Sequence, residues 1–208
     1  MRVYEIFKSI QGESTYAGLP MAFVRLAGCN LSCRYCDTRK ARDKSAGRDM
    51  TVDEILSSIA PLPYVEITGG EPLLQRGEVE LLAAALTDAG KTVLLETSGT
   101  HPIAGLDDRI VKIVDVKCLG SGMSEHVCWE NLANLGPKDE LKFVLTGRED
   151  YEWARQVLRE RDLLPGPHPI IFLPVWGLFE PAVLAEWILA DALPVRLQVQ
   201  LHKILRLP

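Results

Sequence analysis

Short apolar runs rich in β-branched residues alternate with helical stretches along nearly the whole chain, and this alternation restricts the fold more than any other feature. Residues 21–28 (MAFVRLAG) read as a buried strand. The runs 64–68 (YVEIT), 92–97 (TVLLET), 109–117 (RIVKIVDVK), 140–145 (ELKFVL), 169–175 (PIIFLPV) and 196–202 (RLQVQLH) read as further strands. Helices are expected over 51–60, 78–89, 125–135, 150–161 and 181–190. Thr51 and Glu54 offer a capping box to the first, and Pro181 suits the first turn of the last. Repeated β-α units imply an α/β fold with a parallel sheet under helical cover. Roughly six units make an open, partial barrel, because a closed eightfold barrel typically needs about 250 residues. Binding sites in parallel sheets gather at the carboxyl ends of the strands.

The chain has 208 residues, 47% of them hydrophobic, enough for one domain (1–208) with a real core. A net charge of -5 argues against a broad nucleic-acid-binding surface. No apolar run approaches the roughly 18 residues that span a bilayer, and the first residues show no secretory apolar region. Five cysteines, three of them clustered, do not suit a disulfide framework, so a reducing, cytoplasmic setting is expected. Cys118 and Cys128 read as small packing residues.

The clustered three are Cys29, Cys33 and Cys36, spaced C-x-x-x-C-x-x-C in a loop that follows a strand. Thiolates favour zinc or iron–sulfur clusters. A four-iron cluster normally takes four cysteines, so three leave one iron open, as catalytic metals require. Structural zinc would need a fourth ligand, for which His101 and Cys118 are the nearest candidates. One β-α unit later comes Thr68-Gly69-Gly70-Glu71-Pro72, where glycines let the backbone approach a ligand and Glu71 can accept from an ammonium; alone it is also a plausible turn. Glu96-Thr97-Ser98-Gly99-Thr100 ends the next strand, with hydroxyls suited to a ribose or carboxylate. Asp115-Val116-Lys117 ends another, and Pro174-Val175-Trp176 puts an aromatic at a further strand end. Residues 39–49 (RKARDKSAGRD) lack an apolar period and are expected to form a mobile, solvated loop that covers the cluster or meets a reductant.

The cysteine spacing, with Tyr35 before the third cysteine, resembles the cluster motif of radical S-adenosylmethionine (radical SAM) enzymes. Further segments narrow the resemblance. Phe7–Ser14 (FKSIQGES) precedes the cluster loop, Arg25 lies on the strand entering it, Asp37-Thr38 follow Cys36, and Gln198–Lys203 reads QVQLHK. From about Tyr4 to His202 the chain resembles the 7-carboxy-7-deazaguanine synthase family of queuosine and deazapurine biosynthesis. The resemblance implies a radical SAM barrel with a cluster loop at 28–50 and substrate-binding segments at both termini. It implies a 4Fe-4S cluster on Cys29, Cys33 and Cys36, and Mg2+ on Thr38. SAM contacts are implied at Tyr35, Gly70, Glu71, Thr97, Ser98, Asp115 and Lys117. Substrate contacts are implied at Gln11, Gly12, Glu13, Arg25, Gly69, His202 and Pro208. The implied reaction converts 6-carboxy-5,6,7,8-tetrahydropterin to 7-carboxy-7-deazaguanine. A 5′-deoxyadenosyl radical takes hydrogen from C6, the ring contracts, SAM is re-formed and ammonia leaves. The family also implies a homodimer and an electron donor such as flavodoxin.

The side chains suit that substrate. Arg25 can clamp a carboxylate, and Gln11 and Glu13 can read an amino-pyrimidine edge. His202 can meet the carboxylate or the C4 oxygen, and the Pro208 carboxylate can reach the site. Mg2+ on one threonine hydroxyl should depend on substrate to complete its shell. Alternatives are another radical SAM enzyme, such as a glycyl-radical activase, and a non-catalytic zinc- or cluster-binding module.

Overall fold

The computed structural model describes residues 1–59 and 61–208. Among the described residues nine strands form one sheet: β1 (Arg2–Ile10), β2 (Pro20–Leu26), β3 (Arg48–Asp49), β4 (Tyr64–Gly69), β5 (Thr92–Thr97), β6 (Val111–Val116), β7 (Glu140–Leu145), β8 (Ile170–Pro174) and β9 (Arg196–Leu197). Their order is β3-β1-β2-β4-β5-β6-β7-β8-β9. From β2 to β9 every neighbour is parallel, whereas β1 pairs antiparallel with both β2 and β3. The helices are α1 (Val52–Ser58), α2 (Arg76–Asp88), α3 (Arg148–Glu160), α4 (Pro181–Ala190) and α5 (Leu201–Leu205). Among the described residues no helix is long and apolar enough to cross a membrane.

The two faces of the sheet differ because side chains alternate along a strand. One face is apolar throughout: Val24, Leu26, Val65, Ile67, Val93, Leu95 and Val114 pack on α1 and α2, with Val79, Leu82 and Leu86 of α2 among their partners. Leu141, Phe143, Leu145 and Phe172 continue that layer against Tyr151, Ala154 and Leu158 of α3 and Leu184 and Ile188 of α4. The opposite face carries Arg25, Glu66, Thr68, Glu96, Asp115 and Lys142, which line one cavity. The chain after β1 closes this concave side. The Thr15 amide donates to Glu140 Oε1 of β7 at 3.0 Å, and the Gln198 side chain donates to the Ser14 carbonyl. The expected open, partial barrel is therefore present.

Several expectations need correction. The first helix carries its capping box, with Glu54 N donating to Thr51 Oγ1 at 3.2 Å and Thr51 N to Glu54 Oε2 at 2.7 Å. It ends at Ser58, and Ala60 lies outside the described residues. The helix expected over 125–135 is two 3-10 turns, Ser124–His126 and Trp129–Asn134. There the chain is tied to the β5 loop: Cys128 N donates to the Gly99 carbonyl at 2.9 Å, and the buried Asn131 side chain donates to the Gly99 and His101 carbonyls. The strand expected over 196–202 stops after two residues, because Leu201 N donates to the Gly12 carbonyl at 3.0 Å and α5 starts. Residues 39–49 are not a free loop. Ala41 is buried, its carbonyl takes Gly28 N at 2.8 Å, and Arg42 O takes Cys29 N at 3.1 Å. Finally, β1 is an additional strand: paired on its outer side only at Arg2 and Val3, it alternates in burial too weakly to stand out from the motif it contains.

Candidate active site

A cavity of about 480 Å³ opens at the carboxyl ends of the parallel strands. The register of the strands sets its rim. Arg25 pairs with Thr68 and Leu26 with Gly69, so the loop leaving β2 and the loop leaving β4 emerge side by side. That neighbourhood brings Gly70 against the cysteine loop: Gly70 N donates to Leu26 O at 3.0 Å and Glu71 N to Gly28 O at 2.8 Å. A Cβ on Gly70 would lie 2.6 Å from the Gly28 carbonyl carbon and 2.9 Å from Cys29 Cβ, so only glycine fits.

Cys29, Cys33 and Cys36 are free, half-buried and line the cavity. Burial pushes the Cys29 and Cys33 thiols up; the Leu31 amide opposes this at Cys29, and Lys117 opposes it at both. Thiols that ionise reluctantly alone are deprotonated when they bind a metal. Among the described residues no three His, Cys, Asp or Glu side chains converge as ligands of a single ion must. A cubane instead takes each thiolate on a different iron. Cys118 is fully buried and, like His101, outside the cavity wall, so neither joins the three as a zinc ligand. The donor set fits an iron–sulfur cluster with one iron left open.

Around the cysteines the wall also holds Tyr35, Gly69, Gly70, Thr97, Ser98, Asp115 and Lys117. The Tyr35 hydroxyl donates to Val144 O at 3.2 Å, and burial pushes its phenol far up. Lys117 is mostly buried and donates to Asp115 Oδ2 at 2.6 Å. Burial opposes its charge, but Asp115 holds it protonated. The second oxygen of Asp115 is buried without a partner. An orphan acceptor in a cavity wall suits an ammonium or hydroxyl ligand.

Glu71 departs from expectation. It is fully buried and does not reach the cavity. Its Oε1 accepts from Leu73 N at 2.9 Å and Thr97 Oγ1 at 2.8 Å; its Oε2 accepts from Ser98 N at 2.7 Å and from the Ser98 hydroxyl. The carboxylate joins the β4 loop to the β5 loop and leaves no face for an ammonium.

The two terminal segments meet on the far side of the cavity. Gln11, Gly12, Glu13, Arg25, His202 and Pro208 all line it. Gln200 Nε2 donates to Glu13 Oε1 at 2.8 Å. The space above Gly12 is filled by the His202 ring, which a Cβ would strike. Burial pushes His202 down, toward the neutral imidazole. Arg25 Nε donates to Glu5 Oε1 at 2.9 Å and its guanidinium lies 5.3 Å from the Phe7 ring centre. The Ser9 hydroxyl donates to the Pro208 carbonyl at 2.9 Å. Thr38 lines the wall with its Oγ1 3.8 Å from Cys36 Sγ, while Asp37 pairs with Lys203 at 3.0 Å. Trp176, half exposed, also joins the wall.

Three further residues of the floor, Glu66, Glu96 and Lys142, were not singled out as site residues. Their signal was available. A strand buried on both faces of a parallel sheet should be apolar throughout, so charges at alternate positions of VEIT, LLET and ELKF mark a polar cavity.

Comparison with known proteins agrees with this geometry. Residues 24–118 match the family described as the Radical SAM superfamily. The chain is 49% identical to a 7-carboxy-7-deazaguanine synthase from Chlorobaculum tepidum, over 98% of this chain and 93% of that protein. Identity is 44% to a synthase of the same name from Koribacter versatilis, over 100% and 98%. It is 43% to one from Methanospirillum hungatei, over 100% and 86%. The crystal structure of QueE from Escherichia coli is similar with a TM-score of 0.78 at 25% identity, covering 97% of this chain and 94% of that one.

Proposed function

The chain belongs to the 7-carboxy-7-deazaguanine synthase family of radical SAM enzymes, and from that premise we propose that it converts 6-carboxy-5,6,7,8-tetrahydropterin to 7-carboxy-7-deazaguanine with release of ammonia. The observation that carries this reading is the meeting of two halves in one cavity: a cysteine triad on one side and, on the other, the Gln11–Glu13 and Gln200–His202 segments with Arg25. A generic radical SAM activase has no need of the second half.

Cys29, Cys33 and Cys36 would hold the 4Fe-4S cluster. Tyr35, Gly70, Thr97, Ser98, Asp115 and Lys117, which share the wall with the cysteines, would hold SAM, and Gly69 would meet the substrate. Bound together, cluster and SAM would supply the one-electron chemistry that starts the reaction at C6 of the pterin, with SAM serving as a cofactor that is not consumed. The side chains bind and orient. Arg25, already aligned by Glu5 and stacked near Phe7, offers its remaining N–H groups to the substrate carboxylate. A neutral His202 donates one ring N–H. Glu13 accepts from the amino-pyrimidine edge. Glu71 acts at one remove, fixing Thr97 and Ser98.

Thr38 would offer one hydroxyl to Mg2+, with substrate and water completing the shell; Asp37 beside it pairs with Lys203. We read residues 1–208 as one radical SAM unit, with its cluster loop at 28–50. A homodimer, a flavodoxin-type reductant and a reducing cytoplasmic setting complete the reading; the free cysteines support the last.

Anaerobic turnover tests the reading. The reconstituted protein, given SAM, dithionite, Mg2+ and 6-carboxytetrahydropterin, should form 7-carboxy-7-deazaguanine with SAM intact by mass spectrometry. SAM cleavage without that product would refute the substrate.

A further inference from the structure

On the cavity floor one ammonium lies among several carboxylates. Lys142, projecting from β7 across β6, donates to Glu13 Oε2 at 2.7 Å and also to Glu96 Oε1 of β5. Its side chain is 4% exposed, against 17% for Glu13 and 27% for Glu96, so the cation is covered while both anions face the cavity. Each carboxylate is gripped a second time, Glu13 by Gln200 and Glu96 by the Thr68 hydroxyl at 3.2 Å. Glu66, nearly fully buried on β4, faces Glu96 and accepts from the Gln11 amide. Glu140 and Asp115 lie on the same side of β7 and β6.

Two ionised carboxylates side by side repel, and burial makes the repulsion expensive. A covered ammonium between them removes that cost without filling the space above. Each carboxylate then keeps free lone pairs pointing into the cavity. A 2-amino-pyrimidin-4-one presents one ring N–H and two amino N–H bonds along one edge, which is the complement of such an acceptor pair.

We propose that Lys142 is a positioning residue for substrate recognition: its buried ammonium clamps Glu13 and Glu96 together as a double acceptor for the 2-amino-pyrimidinone edge, with Glu66 and Gln11 bracing the pair from below. The inference rests on the pterin reading and goes beyond it by assigning the device that selects the amino group. The electrostatics of the cluster agree. Burial opposes the charge on Glu96 but Lys142 overrides it and holds the carboxyl below the usual carboxylate range, whereas burial and the neighbouring Glu96 push Glu66 well up.

The test uses the reconstituted holoenzyme with SAM under anaerobic conditions and two fluorescent probes, 6-carboxypterin and its counterpart with a 2-oxo group in place of the amino group. The unaltered protein should prefer the amino probe by about 10-fold or more, because buried acceptors reject a ligand that leaves them unpaired. Lys142→Met should erase that preference while iron content and SAM binding stay unchanged, and Lys142→Arg should restore part of it. Should Lys142→Met fail to fold, Glu96→Gln combined with Lys142→Met removes one anion with the cation, and the preference should again be lost. A preference that survives in whichever of these variants folds would overturn the clamp and leave the pterin reading standing. Binding of neither probe by the unaltered protein would overturn both.

Discussion

Glu71→Gln separates the position that sequence suggested for this residue from the position it holds. In the structure its two oxygens accept four hydrogen bonds, two from backbone amides and two from hydroxyls. An amide side chain offers one acceptor oxygen and turns an NH2 toward the other pair of donors. The Thr97 or Ser98 hydroxyl on that side can rotate and accept, but the Leu73 or Ser98 amide cannot. One buried N–H is left unpaired, and charge-assisted bonds become ordinary ones. Each lost partner costs about 1–3 kcal/mol, so the variant should lose roughly 2–5 kcal/mol. For a chain of this length each kcal/mol lowers Tm by about 2–4 °C, which makes the drop roughly 4–20 °C. The measurement is thermal unfolding of the anaerobically reconstituted variant without SAM, beside the unaltered protein. An unchanged Tm with weakened SAM binding would mean that the carboxylate faces the ligand after all, and the buried bridge would be wrong.

Three further outcomes are expected. Gly70→Ala forces a methyl group onto Gly28 and Cys29, an overpacking worth about 1–3 kcal/mol that the cluster loop must absorb; iron per chain should fall well below that of the unaltered protein, and a full complement with an unchanged visible spectrum would contradict the packing. Thr51→Ala removes the capping box of α1, far from the cavity, and should cost about 1 kcal/mol in denaturant unfolding while turnover is unaffected. Glu66 carries the pH dependence. Its folded pKa lies above its ordinary value of 4.5 because of burial, with the Glu96 charge adding. A raised carboxyl contributes stability that is complete below about 4.5 and is lost as pH rises through the folded value. Glu66→Gln keeps the neutral shape, so its stability relative to the unaltered protein should improve as pH climbs from acid to mildly alkaline. A relative stability that falls over the same interval would show that Glu66 is ionised in the fold.

Much of the site was legible in the residues because its chemistry is local. Three thiols spaced over eight residues need no tertiary structure to suggest a shared metal centre, and glycine and hydroxyl residues at the ends of apolar runs mark the rim of a parallel sheet. The same locality misled at Glu71, whose motif places it beside the ligand while its rotamer turns it into the wall. It also misled over 125–135 and 196–202, where helical and strand patterns gave way to hydrogen bonds with distant loops.

The chain by itself determined the fold class and the cluster loop, since periodicity and ligand spacing are properties of neighbouring residues, whereas the two terminal segments were marked only by resemblance to a family. Only the tertiary structure decided how the charges are matched. Lys142 and Glu13 are 129 residues apart, and Gln200 reaches Glu13 across 187. Which anion a buried cation meets depends on strand order and register, and these are set by the packing of the whole sheet rather than by any one of its segments.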